Sequence, residues 1–155
     1  MIVSRSIVDS KNRINTINEH IRVAKLISEF IIPCFGPKGL NKIIISDDKT
    51  IISDSASTIL KEVKIKHPVA KLIAEIAYNI KKSFGDGSNS ISILVGELAN
   101  SAEKLINKKI HPMIILDSWK IALEYCLDNI PTIKIDRSNI NKIAETYISK
   151  TFIGS

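Results

Sequence analysis

Aromatic side chains make up only 5% of this 155-residue chain. Any core must therefore be filled by aliphatic groups, isoleucine above all, and the stacking platform used by single-strand RNA binders is missing. Cysteine occurs only at Cys34 and Cys126. The pair lacks metal-type spacing, the three histidines do not cluster with it, and both thiols are expected to stay reduced. No apolar run approaches the ~20 residues needed to span a bilayer. The opening MIVSRSIVDSKNR breaks its short apolar patches with charge, unlike a signal peptide. A soluble cytoplasmic protein with no membrane partner is the expectation. No stretch rich in Gly, Ser or Pro divides the chain, and no GxxxxGK[ST] phosphate loop occurs.

What is abundant is aliphatic and basic. Hydrophobic residues reach 45%, enough to argue against disorder, and the net charge is +6. The lysines are dispersed: Lys61, Lys64, Lys66, Lys71, Lys81, Lys82, Lys104, Lys108 and Lys109 fall between apolar positions of helix-like segments. That pattern describes solvated faces, so no nucleic-acid partner is expected.

Periodicity describes a mainly α chain with one small β-hairpin. Residues 1–14 read as an irregular or extended arm. A helix fits Thr16 to Ile32, with Ile17, Ile21, Ala24, Ile27 and Ile31 on one stripe, until Pro33 ends it. CFGPKGL then reads as a glycine-punctuated loop. NKIIIS and TIIS, separated by Asp47-Asp48-Lys49, form a hairpin signal. Ile59 to Val63 makes a short segment. His67-Pro68 opens a clear helix with Val69, Leu72, Ile73, Ile76, Ala77 and Ile80 as its apolar face. Another runs from Ser88 to about Asn107 through Ile91, Leu94, Val95, Leu98, Ala102 and Leu105. His111-Pro112 opens one to about Asn129, and Ser138 is expected to cap a last helix from near Asn139.

Between two of these helices lies Gly85-Asp86-Gly87-Ser88-Asn89-Ser90. A helix start offers unpaired N–H groups and the positive end of the macrodipole, which suits phosphate. Gly85 and Gly87 allow close backbone approach, and Ser88, Asn89 and Ser90 add side-chain donors. Asp86 would repel phosphate unless a cation lies between, and Mg²⁺ bound by one carboxylate plus phosphate oxygens removes the conflict. A plain Asp-Gly turn followed by Ser88 as an ordinary N-cap reads the same residues without a ligand.

The wider set of motifs is more specific. FGPKGL, IISDSASTILKEV, HPVAKLI, GDGSNS, GEL and KKIHPMII, in this order, resemble the group II chaperonins, the archaeal thermosome and the eukaryotic cytosolic chaperonin. The likeness runs from about Asn18 to the tail AETYISKTFIGS. It implies the first part of a helical equatorial ATPase domain at 1–137 and the start of an intermediate domain at 138–155. Gly36 and Pro37 match the loop lying along the nucleotide. Asp86 matches the Mg²⁺ ligand, and Gly87, Ser88, Asn89 and Ser90 match the phosphate cradle. Asp54 matches the acid that positions the attacking water.

Four departures from the family pattern stand out. Ser55 replaces the glycine after that acid, so a backbone needing positive φ would be strained there. Cys34 replaces a threonine and is a poorer donor. Gly-Asp-Gly-Thr-Thr has become Gly-Asp-Gly-Ser-Asn, and Lys81 and Lys82, read as solvent-facing, replace an acidic stretch. In the family the returning half of the equatorial domain, with a further catalytic aspartate, and the client-binding apical domain lie beyond the matched stretch. The resemblance thus implies an ATP- and Mg²⁺-binding chaperone subunit that assembles with other subunits in a ring and, at full length, takes unfolded clients. A non-catalytic, chaperonin-like interaction module is the alternative.

Overall fold

The computed structural model describes residues 2–36, 38–46, 49–132 and 134–148. They fall into two compact units, one up to Lys109 and one from Ile110 onward. In the first, helix α1 (Ile2–Ile31) leads through a 3-10 turn (Ile32–Cys34) to the strands β1 (Lys42–Ser46) and β2 (Lys49–Ser53). Helices α2 (Ala56–Glu62), α3 (Pro68–Phe84) and α4 (Ser88–Asn107) follow. The second unit carries α5 (Pro112–Asn129) and α6 (Arg137–Ile148).

Helix α1 reaches back to Ile2, so residues 2–14 are helical where an irregular arm was expected. The segment holds neither glycine nor proline, and nothing in it interrupts the backbone ladder once the apolar stripe downstream is docked. That stripe is as expected: Ile21, Ala24, Ile27 and Ile31 are buried. Pro33, which has no N–H, sits inside the 3-10 turn that closes the helix.

The strands pair antiparallel from Lys42↔Ser53 to Ser46↔Lys49. Lys49 is therefore a strand residue rather than part of the turn, and Asp47 and Asp48 lie outside the described residues. Alternation does the rest. Ile44 packs on the core, while Ile43, Ile45 and Ile52 point outward and are exposed.

His67 and His111 both occupy N-cap positions ahead of a proline. Nδ1 of His67 accepts from the Val69 amide at 3.2 Å, and Nδ1 of His111 from that of Met113 at 3.3 Å. The last helix begins earlier than expected. Asp136 accepts the Asn139 amide at 3.0 Å and caps it, which leaves Ser138 inside α6. A charged acceptor at a helix start also suits the macrodipole.

Two buried faces differ from those read by periodicity. On α3 the centre is Ala70, Ile73 and Ala77, while Leu72 is exposed. On α4 the buried residues are Ser88, Ser92, Gly96 and Ala102, whereas Leu94 is exposed and Leu98 lies at the surface. Small residues win because α1 crosses α4 at very short range: a Cβ on Gly96 would lie 2.1 Å from the Ser28 Cβ. Helix axes approach only as closely as the side chains between them allow. Ser28 Oγ donates to the Ile93 carbonyl at 3.3 Å, and Lys25 pairs with Glu103 at 2.9 Å across the same interface. The core proper joins α1, α2 and α3 through Ile27, Ile31, Cys34, Ile59 and Ile73, with Ile31, Cys34 and Ile59 fully buried.

Candidate functional site

Three segments of the first unit meet at the start of α4. The first is the loop after α1. Its Gly36 has φ +87°, and it folds on itself through Gly39 N–H to the Gly36 carbonyl at 3.0 Å and Leu40 N–H to the Pro33 carbonyl at 2.8 Å. A Cβ at Gly36 would meet nothing within 4 Å, so conformation rather than crowding asks for glycine there. Pro37 lies outside the described residues.

The second segment is the corner between β2 and α2, Ser53 to Ser57. Asp54 is half-buried there. Ser55 has φ −82° and ψ 121°, ordinary extended backbone, so the strain expected from serine at this position does not arise. Its amide donates to Ser53 Oγ at 3.1 Å, and its hydroxyl sits 3.0 Å from that of Ser57.

The third is the Gly-Asp-Gly loop. Gly85 ends α3 at φ +80° and Gly87 precedes α4 at φ +87°. Both need the left-handed region, which glycine enters without steric cost. The N-cap of α4 is thus Gly87 and not Ser88, and no side chain caps the helix. The first bond of its ladder runs from Ile91 N–H to the Gly87 carbonyl at 3.0 Å. The amides of Ser88, Asn89 and Ser90 lie outside that ladder, as the opening amides of a helix must. Asp86 is exposed and engages no other side chain among the described residues. Ser90 and Lys82 are also exposed, and Lys81 is half-buried.

The side chains of Ser88 and Asn89 turn inward. Ser88 is buried, with its Oγ 3.3 Å from Ser55 Oγ, longer than a good hydroxyl bond. Asn89 accepts the Ala56 amide on Oδ1 at 2.6 Å and donates from Nδ2 to the Asp54 carbonyl at 2.9 Å and the Cys34 carbonyl at 3.3 Å. The partners fix the orientation of the carboxamide, because the reverse would set NH₂ against N–H. Sequence reasoning missed this hub, along with Ser92, whose Oγ donates to the Ser88 carbonyl at 2.8 Å. The legible sign was small residues at Ser88, Ser92 and Gly96, four apart on one helix face.

Ser88 and Asn89 are thus brought against the segments carrying Asp54 and Cys34, while the exposed Asp86 makes no hydrogen bond or ion pair with their described residues. Among the described residues no group of three or more His, Cys, Asp or Glu is placed to hold a metal. A Mg²⁺ ion completed by phosphate oxygens needs only one or two protein carboxylates, so Asp86 suffices chemically for that mode of binding. No described helix is long and apolar enough to cross a membrane.

The family model for the TCP-1/cpn60 chaperonin family matches residues 27–155. The chain belongs to that family. Its chaperonin relatives include thermosome subunit gamma of Saccharolobus shibatae, 35% identical over 141 residues, which covers 88% of this chain and 26% of the relative. Thermosome subunit alpha of Aeropyrum pernix is 36% identical over 143 residues, with 88% and 26% covered. The corresponding subunit of Sulfurisphaera tokodaii is 39% identical over 134 residues, with 84% and 24% covered. These similarities are to the group II branch. The chain spans about a quarter of the length of these relatives.

Proposed function

We propose that this chain is the N-terminal, ATP-binding equatorial portion of a group II chaperonin subunit, an ATP-dependent chaperone that assists the folding of other proteins. Its division would be equatorial at 1–137 and intermediate from 138 to 155. Its setting would be the cytoplasm, within a ring of chaperonin subunits, with unfolded proteins as clients of the full-length subunit. The observation that carries this reading is the loop at 85–90: two left-handed glycines, three amides outside the helix ladder, no capping side chain and an exposed carboxylate.

In this reading the amides of Ser88, Asn89 and Ser90, at the positive end of α4, receive phosphate oxygens. Gly87 keeps the approach free of side-chain bulk, and Gly36 and Pro37 line the nucleotide from the preceding loop. Asp86 holds Mg²⁺, which would neutralise charge on the phosphates. Asp54 orients the attacking water, work that requires a carboxylate within hydrogen-bond reach. In such sites positioning and electrostatics carry nearly all of the catalysis. Hydrolysis is therefore expected to require the returning half of the domain.

Isothermal titration with Mg-ATP, comparing the chain with Asp86→Ala, tests the proposal. Binding by the parent chain and loss in the variant are expected. The inward-turned Ser88 and Asn89 side chains favour a second reading, a non-catalytic interaction module. Absence of binding in both proteins would leave that one standing.

A further inference from the structure

Asparagine carries two donors on one nitrogen, and Asn89 aims both inward, at the Asp54 and Cys34 carbonyls. Its oxygen takes the Ala56 amide at 2.6 Å, the shortest of its three contacts to other segments. No side-chain donor is left for a phosphate. Each contact instead joins the start of α4 to a different stretch of main chain. One is the mouth of the Gly36 loop, and the others lie on the two sides of the Asp54 corner. All three are remote in sequence, between 33 and 55 residues away.

We propose that Asn89 is a positioning residue: its carboxamide clamps the Gly36 loop and the Asp54 corner onto the helix that follows Asp86, so that the site stands assembled before ligand arrives. The inference rests on the nucleotide reading above for what the clamp serves, but the clamp itself belongs to the ligand-free protein. Asn89 keeps a part in phosphate binding through its backbone amide alone. Ser55, 3.3 Å from Ser88 through their hydroxyls, supports the same junction weakly.

Asn89→Asp separates the parts. A carboxylate still accepts from Ala56, yet it offers no donor and sets negative oxygen against two carbonyls. Amide exchange is read by NMR on the ligand-free chain, with fully buried Ala77 on α3 reporting the fold. Ala56 should stay protected and Ala77 unchanged, while Gly39 and Leu40 exchange about tenfold faster. The Kd for Mg-ATP is read on the uncharged Asn89→Ser, since a carboxylate at 89 would itself repel phosphate, and should rise by about tenfold, as expected when a preassembled site must be ordered at a cost on binding.

A weaker Kd for Asn89→Ser with Gly39 and Leu40 unchanged in that variant would mean that the side chain contacts phosphate directly, and would overturn the proposal. Should Ala77 also exchange faster, Asn89→Ser is read in the same way. Loop amides that accelerate no more than Ala77 in both variants overturn the clamp. If the parent chain binds no Mg-ATP, the nucleotide reading falls, and the exchange pattern still decides whether the clamp exists.

Discussion

Replacing Gly96 by alanine sets two opposed effects against each other. Gly96 lies well inside α4, where alanine is the better helix former by about 1 kcal/mol. Local propensity therefore favours the variant. The tertiary contact opposes it, because the new Cβ would lie 2.1 Å from Ser28 Cβ, 2.7 Å from Ser28 Oγ and 3.1 Å from the Ala24 carbonyl oxygen. Non-bonded carbons rest about 3.5–4.0 Å apart, so α1 and α4 must separate by roughly 1.5 Å or a bond-angle distortion must take up the difference. Two of these three atoms lie on or next to the α1 main chain, and no rotamer change can move them aside. Overpacking of a well-filled site costs about 1–3 kcal/mol, and the upper end applies where backbone must shift. The net expectation is a loss of about 2 kcal/mol. Urea unfolding followed by circular dichroism at the helix band measures it. Adding Ser28→Gly removes the opposing Cβ and should restore most of the loss, a coupling that a double-mutant cycle isolates. Gly96→Ala as stable as the parent chain, or more so, would refute the close crossing of α1 and α4.

Three further outcomes are expected. Gly87→Ala places a Cβ at φ +87°, with only the ordinary 3.4 Å contact to Ile80 Cγ2, so backbone strain of about 1–2 kcal/mol is the whole cost. Gly87→Asn should recover part of it, and equal stability of all three proteins in urea would count against the left-handed turn. Ile59→Ala, at a fully buried position, should lower stability by about 2–5 kcal/mol through lost burial and a residual cavity, and a change below 1 kcal/mol in the same assay would contradict the core described here. The exposed Leu26, Leu72, Phe84 and Leu94 promote association, so size-exclusion chromatography should show oligomers or poor recovery, and a clean monomer at high concentration would speak against it.

The beginnings of α3 and α5 were legible because their causes are local. Proline after a histidine pre-sets φ and needs no hydrogen-bond partner, and the imidazole caps the next free amide, as both His67 and His111 do. Runs of β-branched residues on either side of Asp47-Asp48-Lys49 likewise marked the hairpin. The glycine loop at 85–87 declared itself because positive φ restricts the choice of residue there. The start of α1 was misread because Ser, Asn and Asp between residues 4 and 14 suggest a loop, although none of them breaks a helix.

The chain by itself determined the order of elements, the family and the left-handed glycine turn at 85–87, since each rests on short-range preferences or on an ordered set of motifs. Tertiary structure alone decided which face of α4 is buried, because a close helix crossing selects small side chains over the apolar stripe that periodicity picks out. It also decided what Asn89 does. A carboxamide beside a glycine turn at a helix start reads from sequence as a ligand donor, and only the folding-in of segments more than 30 residues away supplies the carbonyls that take both of its hydrogens.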